Sequence, residues 1–265
     1  MSLEAASALD APLLRINQLS HRFGGLTAVN GFDTLLQAGE IVGLIGPNGA
    51  GKTTVFNLLC GLYRPSAGSI WFEGTRLDGL RPHQISSLGI GRTFQNIRLW
   101  NELSVLDNLR LANWSRMPYS LLDIFLASTP LRAAEDEVTE RALELLREFG
   151  LERQRDARPR NLAYGVQRRV EICRALVMKP RLLLLDEPAA GMNQGEIGDL
   201  MELIRWVHQR FGLTIWIIEH QMRIIMGICE RIQVLNFGQT IAEGVPERIQ
   251  SDPQVIEAYL GEPLP

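Results

Sequence analysis

The chain has 265 residues, 46% hydrophobic and 22% charged, and its 27 Lys+Arg against 30 Asp+Glu leave a net charge of -3. This ordinary composition excludes a disordered chain and a disulfide scaffold, and the near-balance of charge speaks against a nucleic-acid binder built on a basic face. The length accommodates one large α/β domain, or a core domain carrying a smaller insertion.

In chain order, Leu14 to Leu19 and Phe32 to Leu36 read as strands of an antiparallel N-terminal piece, parted by a turn at Gly24-Gly25. Ile41 to Ile45 is a continuous apolar run ending at a glycine, the pattern of a strand buried on both faces of a parallel sheet. From Asn101 to about Arg160 the composition turns helical, with Val138, Ala142, Leu145, Leu146 and Phe149 on one face. An inserted helical subdomain is expected there, with an inner boundary at Ser128-Thr129-Pro130, where the proline starts or breaks a helix. Leu182 to Leu185 and Thr214 to Ile218 repeat the buried-strand pattern around a predicted helix from Gln194 to Phe211, which implies a parallel sheet. From Arg231 onward two short strands precede helices, the last signalled by Asp252-Pro253.

Cys60, Cys173 and Cys229 stand far apart in apolar or helical contexts and are expected as buried, reduced thiols, in keeping with the cytoplasm. No apolar run approaches the roughly 18 residues of a membrane span, and no secretory signal is visible. Lys52 and Lys179 are the two lysines among 27 basic residues, so a lysine here suggests a position that wants a compact ammonium.

Gly46-Pro47-Asn48-Gly49-Ala50-Gly51-Lys52-Thr53 matches the phosphate-binding loop pattern, with Thr54 next, between the apolar strand and a helical stretch. Its glycines let successive N–H groups face phosphate oxygens, and the helix N-terminus adds partial positive charge. Lys52 would reach the β- and γ-phosphates, and the Thr53 hydroxyl would bind Mg2+. A glycine-rich turn without a ligand is the bland alternative. Asp186-Glu187 then ends a buried strand, where ligands of parallel sheets bind. Asp186 would hold Mg2+, directly or through water, and Glu187 would polarise the attacking water as general base; a solvated acidic turn is the alternative.

These motifs, Gln95 after a glycine-bounded strand, the segment Leu162 to Arg169, and His220 after the strand 214–218 occur in the order found in ABC transporter ATPases. The chain resembles that family from about Arg15 to Asn236. Asn161 to Gly165, Glu187 to Asn193 and Ala258 to Glu262 look closest to the ATPases of branched-chain amino acid uptake systems. The resemblance implies a P-loop NTPase α/β core with a parallel sheet, an antiparallel β subdomain and an inserted helical subdomain. It implies an ABC ATPase domain over 12–250, with the helical part at about 101–178, and a helical tail over 251–265.

The same resemblance implies ATP as substrate, Mg2+ as cofactor, and catalytic work by Glu187, His220 and Lys52. Gln95 corresponds to a glutamine that senses Mg2+ and the attacking water, and His220 to a histidine on the γ-phosphate. Phe23 corresponds to an aromatic that stacks on adenine, with a turn aromatic as the alternative. His21, His83 and His208 lack such a context and are expected at the surface or as caps. Ala163, Tyr164, Gly165, Val166 and Gln167 occupy the signature that faces the ATP of a second subunit, usually Leu-Ser-Gly-Gly-Gln with its leucine at Leu162. Ala163, Tyr164 and Val166 depart from that consensus, Val166 even from the branched-chain amino acid group, so Gly165 and the helix N-terminus remain to meet phosphate. Asn193 stands where the wider family often has aspartate.

The implied partners are a second ATPase subunit, identical or paralogous, permease subunits in the membrane, and indirectly a periplasmic or extracellular binding protein; nucleic acid is not expected. The implied location is the cytoplasmic face of the cell membrane, held peripherally. Permeases would dock on the loop after Gln95 and the insertion, where Leu99, Trp100, Leu103, Val105 and Leu106 offer apolar anchors, unless these pack in the core. Rival readings are a P-loop kinase or GTPase, a soluble ABC ATPase acting on DNA or ribosomes, and the ATPase of a urea or lipopolysaccharide system.

Overall fold

The computed structural model describes residues 11–113 and 129–260. β1 (Leu14–Phe23) and β2 (Leu26–Leu36) pair antiparallel around the Gly24-Gly25 turn. They outrun the sequence reading because register shifts between Ile16 and Arg22 break the two-residue alternation. β3 (Ile41–Ile45) leads through the glycine-rich loop to α1 (Lys52–Leu59). β4 (Ala67–Phe72) and β5 (Thr75–Arg76) complete an antiparallel sheet of order β2-β1-β4-β5. The sequence reading passes over β4, whose first half, Ala67-Gly68-Ser69, carries little apolar signal.

α2 (Pro82–Ser87) precedes β6 (Ile90–Arg92), the glycine-bounded strand before Gln95. The helical region contains α3 (Val105–Ala112), α4 (Thr129–Glu148) and α5 (Tyr164–Val177). The Ser104 hydroxyl caps α3 by accepting from the Asp107 N–H at 3.0 Å. Val138, Ala142, Leu145, Leu146 and Phe149 are all buried, as their spacing predicts. α4 begins at Thr129; Ser128 of the expected boundary lies outside the described residues.

β7 (Leu182–Asp186), α6 (Gln194–Phe211), β8 (Thr214–Ile218), α7 (Met222–Ile228) and β9 (Arg231–Asn236) follow. β10 (Gln239–Gly244), α8 (Pro246–Gln250) and α9 (Pro253–Leu260) end the described chain. The larger sheet has the order β10-β9-β3-β8-β7-β6, parallel from β9 to β6, with β10 antiparallel at its edge.

Every residue of β3, β7 and β8 is buried, and alternation sorts them onto two cores. Val42, Leu44, Leu182, Leu184, Trp216 and Ile218 join α1 and the antiparallel sheet; Ile41, Ile45, Leu183, Leu185, Ile215 and Ile217 join the helices α3 to α7. Each fully buried aliphatic side chain of this kind contributes about 1.5–3 kcal/mol, enough to fix the sheet's register.

Cys173 and Cys229 are buried, Cys60 is half-buried, and all three thiols are free. Burial raises the pKa of each. Lys179 is exposed just past α5 at φ 47°, a helix-ending conformation that needs no compact ammonium. Of the five apolar anchors, Val105 and Leu99 belong to the core, Leu106 packs against it, and Trp100 is exposed. His208 touches the Gly39 carbonyl at 2.8 Å and His83 is exposed, whereas His21 stacks on Tyr63 at 5.4 Å instead of standing free at the surface.

Candidate active site

The glycine-rich loop leaves the carboxyl end of β3, the central strand. Gly46 has φ 149° and Gly51 φ 105°, and a Cβ at either would collide with Leu235 O at 1.9 Å or Ala28 O at 2.3 Å. The loop is thus wedged between β9 and β2, a packing only glycine permits. No side chain caps α1, so its first N–H groups are left for an anion. The Lys52 ammonium is nearly buried and donates to the Gly46 and Pro47 carbonyls at 2.7 and 3.0 Å. Burial lowers its pKa, while the charges of Glu187 and Asp186 oppose that shift.

The carboxyl ends of β6, β7 and β8 bring the other predicted residues together. Gln95 Nε2 donates to Glu187 Oε2 at 2.7 Å, and His220 Nδ1 lies 3.7 Å from the same oxygen. Glu187 has φ 46°, unusual for a side-chain-bearing residue, and its N–H is anchored on Ile218 O at 2.9 Å. Glu219 is fully buried beneath, accepting from the N–H groups of Ala189, His220 and Gln221 at 2.8, 3.1 and 3.4 Å. Burial raises its pKa against those three bonds. Asp186 points into an ion pair with Arg92, 2.6 Å away, while Arg92 Nη1 donates to Asn57 at 2.8 Å.

Comparison with known proteins bears on this arrangement. A family model described as ABC transporter matches residues 29–190, more than half of the chain. The chain belongs to the ABC transporter family. A second model, the branched-chain amino acid ATP-binding cassette transporter, matches residues 239–264. The high-affinity branched-chain amino acid transport ATP-binding protein LivG of Escherichia coli K12 is 46% identical over 254 residues, 96% of this chain and all of that protein. A crystal structure of a nucleotide-free ATP-binding cassette from an ABC transporter superimposes with a TM-score of 0.83 at 30% identity, covering 95% of this chain and 100% of that one. A dimeric cassette in a post-hydrolysis state with ADP and Pi gives 0.72 at 25% identity over 88% and 98% of the two chains. As an ABC ATPase the protein binds and hydrolyses ATP to drive transport.

The segment at the ABC signature position opens α5. No side chain caps this helix, and a Cβ on Gly165 would meet nothing within 4 Å, so the first turn is open to approach. Ala163 and Tyr164 are exposed, and Gln167 donates to Leu162 O at 2.8 Å. Val166 turns inward to a cleft of about 580 Å³ shared with Met192, Leu200, Leu203 and Trp206. Asn193 caps α6, accepting from Gly195 and Glu196 N–H at 2.9 and 3.1 Å, a task its asparagine performs as well as aspartate would.

Phe23 is 43% exposed at the hairpin tip, edge-on to His21 and Tyr63 at 4.6 and 5.2 Å. Thr53 is exposed and Thr54 half-buried at the head of α1. Among the described residues no three His, Cys, Asp or Glu side chains gather as a metal cage. One buried carboxylate beside a phosphate loop instead suits Mg2+, which completes its shell with phosphate oxygens and water. Sequence reasoning misses Arg92 and the buried pair Arg168 and Glu171. The only sequence signal for Glu171 is its spacing three residues after Arg168 on one helix face.

Proposed function

We propose that this chain is the ATPase subunit of a branched-chain amino acid uptake transporter, paired with a second ATPase subunit and docked on membrane permeases. The reading of the site is carried by the Gln95–Glu187–His220 cluster, 2.7 and 3.7 Å apart, at the strand ends flanking the phosphate loop. The choice of substrate is supported by the 46% identity to LivG along nearly the whole chain and by the match at residues 239–264.

In this reading the N–H groups from Gly46 to Thr54 and the Lys52 ammonium bind the phosphates, and Phe23 stacks on adenine. Glu187 takes the proton of the attacking water, Gln95 fixes the carboxylate that does so, and His220 contacts the γ-phosphate. The bond from γ-phosphorus to the bridging oxygen breaks, the water oxygen bonds to phosphorus, and ADP and phosphate leave. Thr53, Gln95 and Asp186 would hold Mg2+, which would screen the charge gathered on the phosphates. Residues 163–167 face the ATP of the partner subunit, so one chain alone holds half of each site.

The domain organisation follows: an ABC ATPase domain over 12–250, its helical part at about 101–178, and a tail over 251–265. Among the described residues no helix is long and apolar enough to cross a membrane, which fits a peripheral subunit on the cytoplasmic face. A binding protein on the far side would act only through the permeases. The test is reconstitution with the permease subunits in vesicles, supplied with leucine-loaded binding protein. ATP-dependent leucine uptake is expected; hydrolysis stimulated only by a different cargo would move the substrate assignment.

A further inference from the structure

We propose that Arg168 and Glu171 are positioning residues that lock the Gln95 segment to the first turn of α5, so that each subunit's signature end and its own Gln95 move as one body. The proposal rests on the reading of Gln95 and Glu187 given above and adds a device that joins the two composite sites.

Arg168 and Glu171 are 0% and 1% exposed and pair at 2.6 Å. Most of their other bonds go to the backbone of residues 94–98. Arg168 Nη1 donates to Phe94 O at 2.8 Å and Nη2 to Gln95 O at 2.9 Å. Glu171 Oε1 accepts from Arg98 N–H at 3.3 Å and from Phe94 N–H at 3.5 Å. Arg174, one turn further along, donates to Arg98 O. One helix face therefore grips both donors and acceptors of residues 94–98. A guanidinium is a planar, rigid fork, so two carbonyls held by its two ends cannot shift against the helix independently.

The grip closes into a ring. Arg168 Nη2 donates to the Tyr164 hydroxyl at 3.1 Å, which donates to Ala190 O at 2.9 Å. Ala190 N–H returns to Glu187 O at 3.2 Å, and Gln95 Nε2 to Glu187 Oε2 at 2.7 Å. Tyr164 stands where the signature usually has glycine, and its hydroxyl supplies a link that glycine could not. A pair kept only for packing would be replaceable by apolar side chains; this one satisfies backbone groups of a site segment. A movement of the α5 end against the partner's nucleotide is thereby imposed on Gln95 and Glu187.

The test uses the complete transporter with its permeases. Tyr164→Phe keeps the aromatic side chain and the backbone and removes the one hydroxyl that closes the ring; Glu171→Gln and Arg168→Lys disturb the buried pair. For Tyr164→Phe we expect kcat to fall about tenfold, within the range of measured coupling effects, with KM for ATP and the thermal midpoint unchanged. Arg168→Lys should not rescue function, because an ammonium cannot span both carbonyls. Combined with Gln95→Ala, Tyr164→Phe should cost nothing further, since the ring is already open. Normal kcat for Tyr164→Phe, or full additivity with Gln95→Ala, overturns the proposal, even where Glu171→Gln fails to fold. Lys52→Met serves as the control: if it hydrolyses ATP like wild type, the ATP-site reading itself has failed, and not only the ring.

Discussion

The guanidinium of Arg92 lies 2.6 Å from the carboxylate of Asp186, and the two side chains are only 6% and 4% exposed. The acid proposed for Mg2+ thus already has a cation beside it. Arg92 is held by Asn57 and by the rings of Phe56 and Phe94, at 5.7 and 4.9 Å. Changing Arg92→Met leaves Asp186 buried without a partner, which should cost about 3–5 kcal/mol. Urea denaturation should show most of that loss without ligand and much less of it with Mg2+ and ADP, because the metal then supplies the missing charge. An equal loss in both conditions would separate Asp186 from the metal.

Lys52 gives a pH signature. Burial lowers its folded-state pKa below the ordinary lysine value of 10.5, so the folded chain holds this proton less tightly than the unfolded chain. Between the lowered value and 10.5 the unfolded state binds more protons, and stability rises with pH. Lys52→Met removes the group. The difference in thermal midpoint between variant and wild type should therefore shift in favour of the wild type as pH rises from about 7 toward about 10. A constant difference would mean that the ammonium carries no burial cost.

At the signature, the first turn of α5 is open at Gly165, where the backbone is proposed to meet phosphate, and Val166 lines the cleft toward Trp206. Val166→Gln should change ATPase activity of the assembled transporter by less than about threefold, the low end of one hydrogen bond's net worth. Gly165→Asp should abolish it by setting a negative charge against phosphate, with little loss of fold stability because the added Cβ meets no neighbour. A large gain from Val166→Gln would mean that the natural residue impairs the site, and a harmless Gly165→Asp that this turn does not meet nucleotide.

The parallel sheet was legible because it follows from contiguous residues. Ile41–Ile45, Leu182–Asp186 and Thr214–Ile218 are buried along their whole length, and such runs read the same in any context. The glycine-rich loop carries its function in its spacing. Arg92 and Arg168 were not legible, because arginine is the commonest basic residue here and nothing local distinguishes a buried one from its exposed neighbour Arg169. Their burial is set by residues 94 positions away for Arg92, and 74 and 73 positions away for Arg168. The inward turn of Val166 and the Tyr164 hydroxyl bond to Ala190 likewise depend on how α5 meets α6 and the loop before it, which no sequence window contains.

The central claim is that Glu187, oriented by Gln95, is the base that activates water. It is tested most directly by comparing Glu187→Gln with wild type for ATP binding, steady-state hydrolysis and subunit pairing. The isosteric amide keeps the shape of the site and cannot take a proton. Turnover should fall by about 10² or more, ATP affinity should hold, and ATP should drive two chains into a pair that persists because the nucleotide is not consumed. Near-normal hydrolysis by Glu187→Gln would contradict the account.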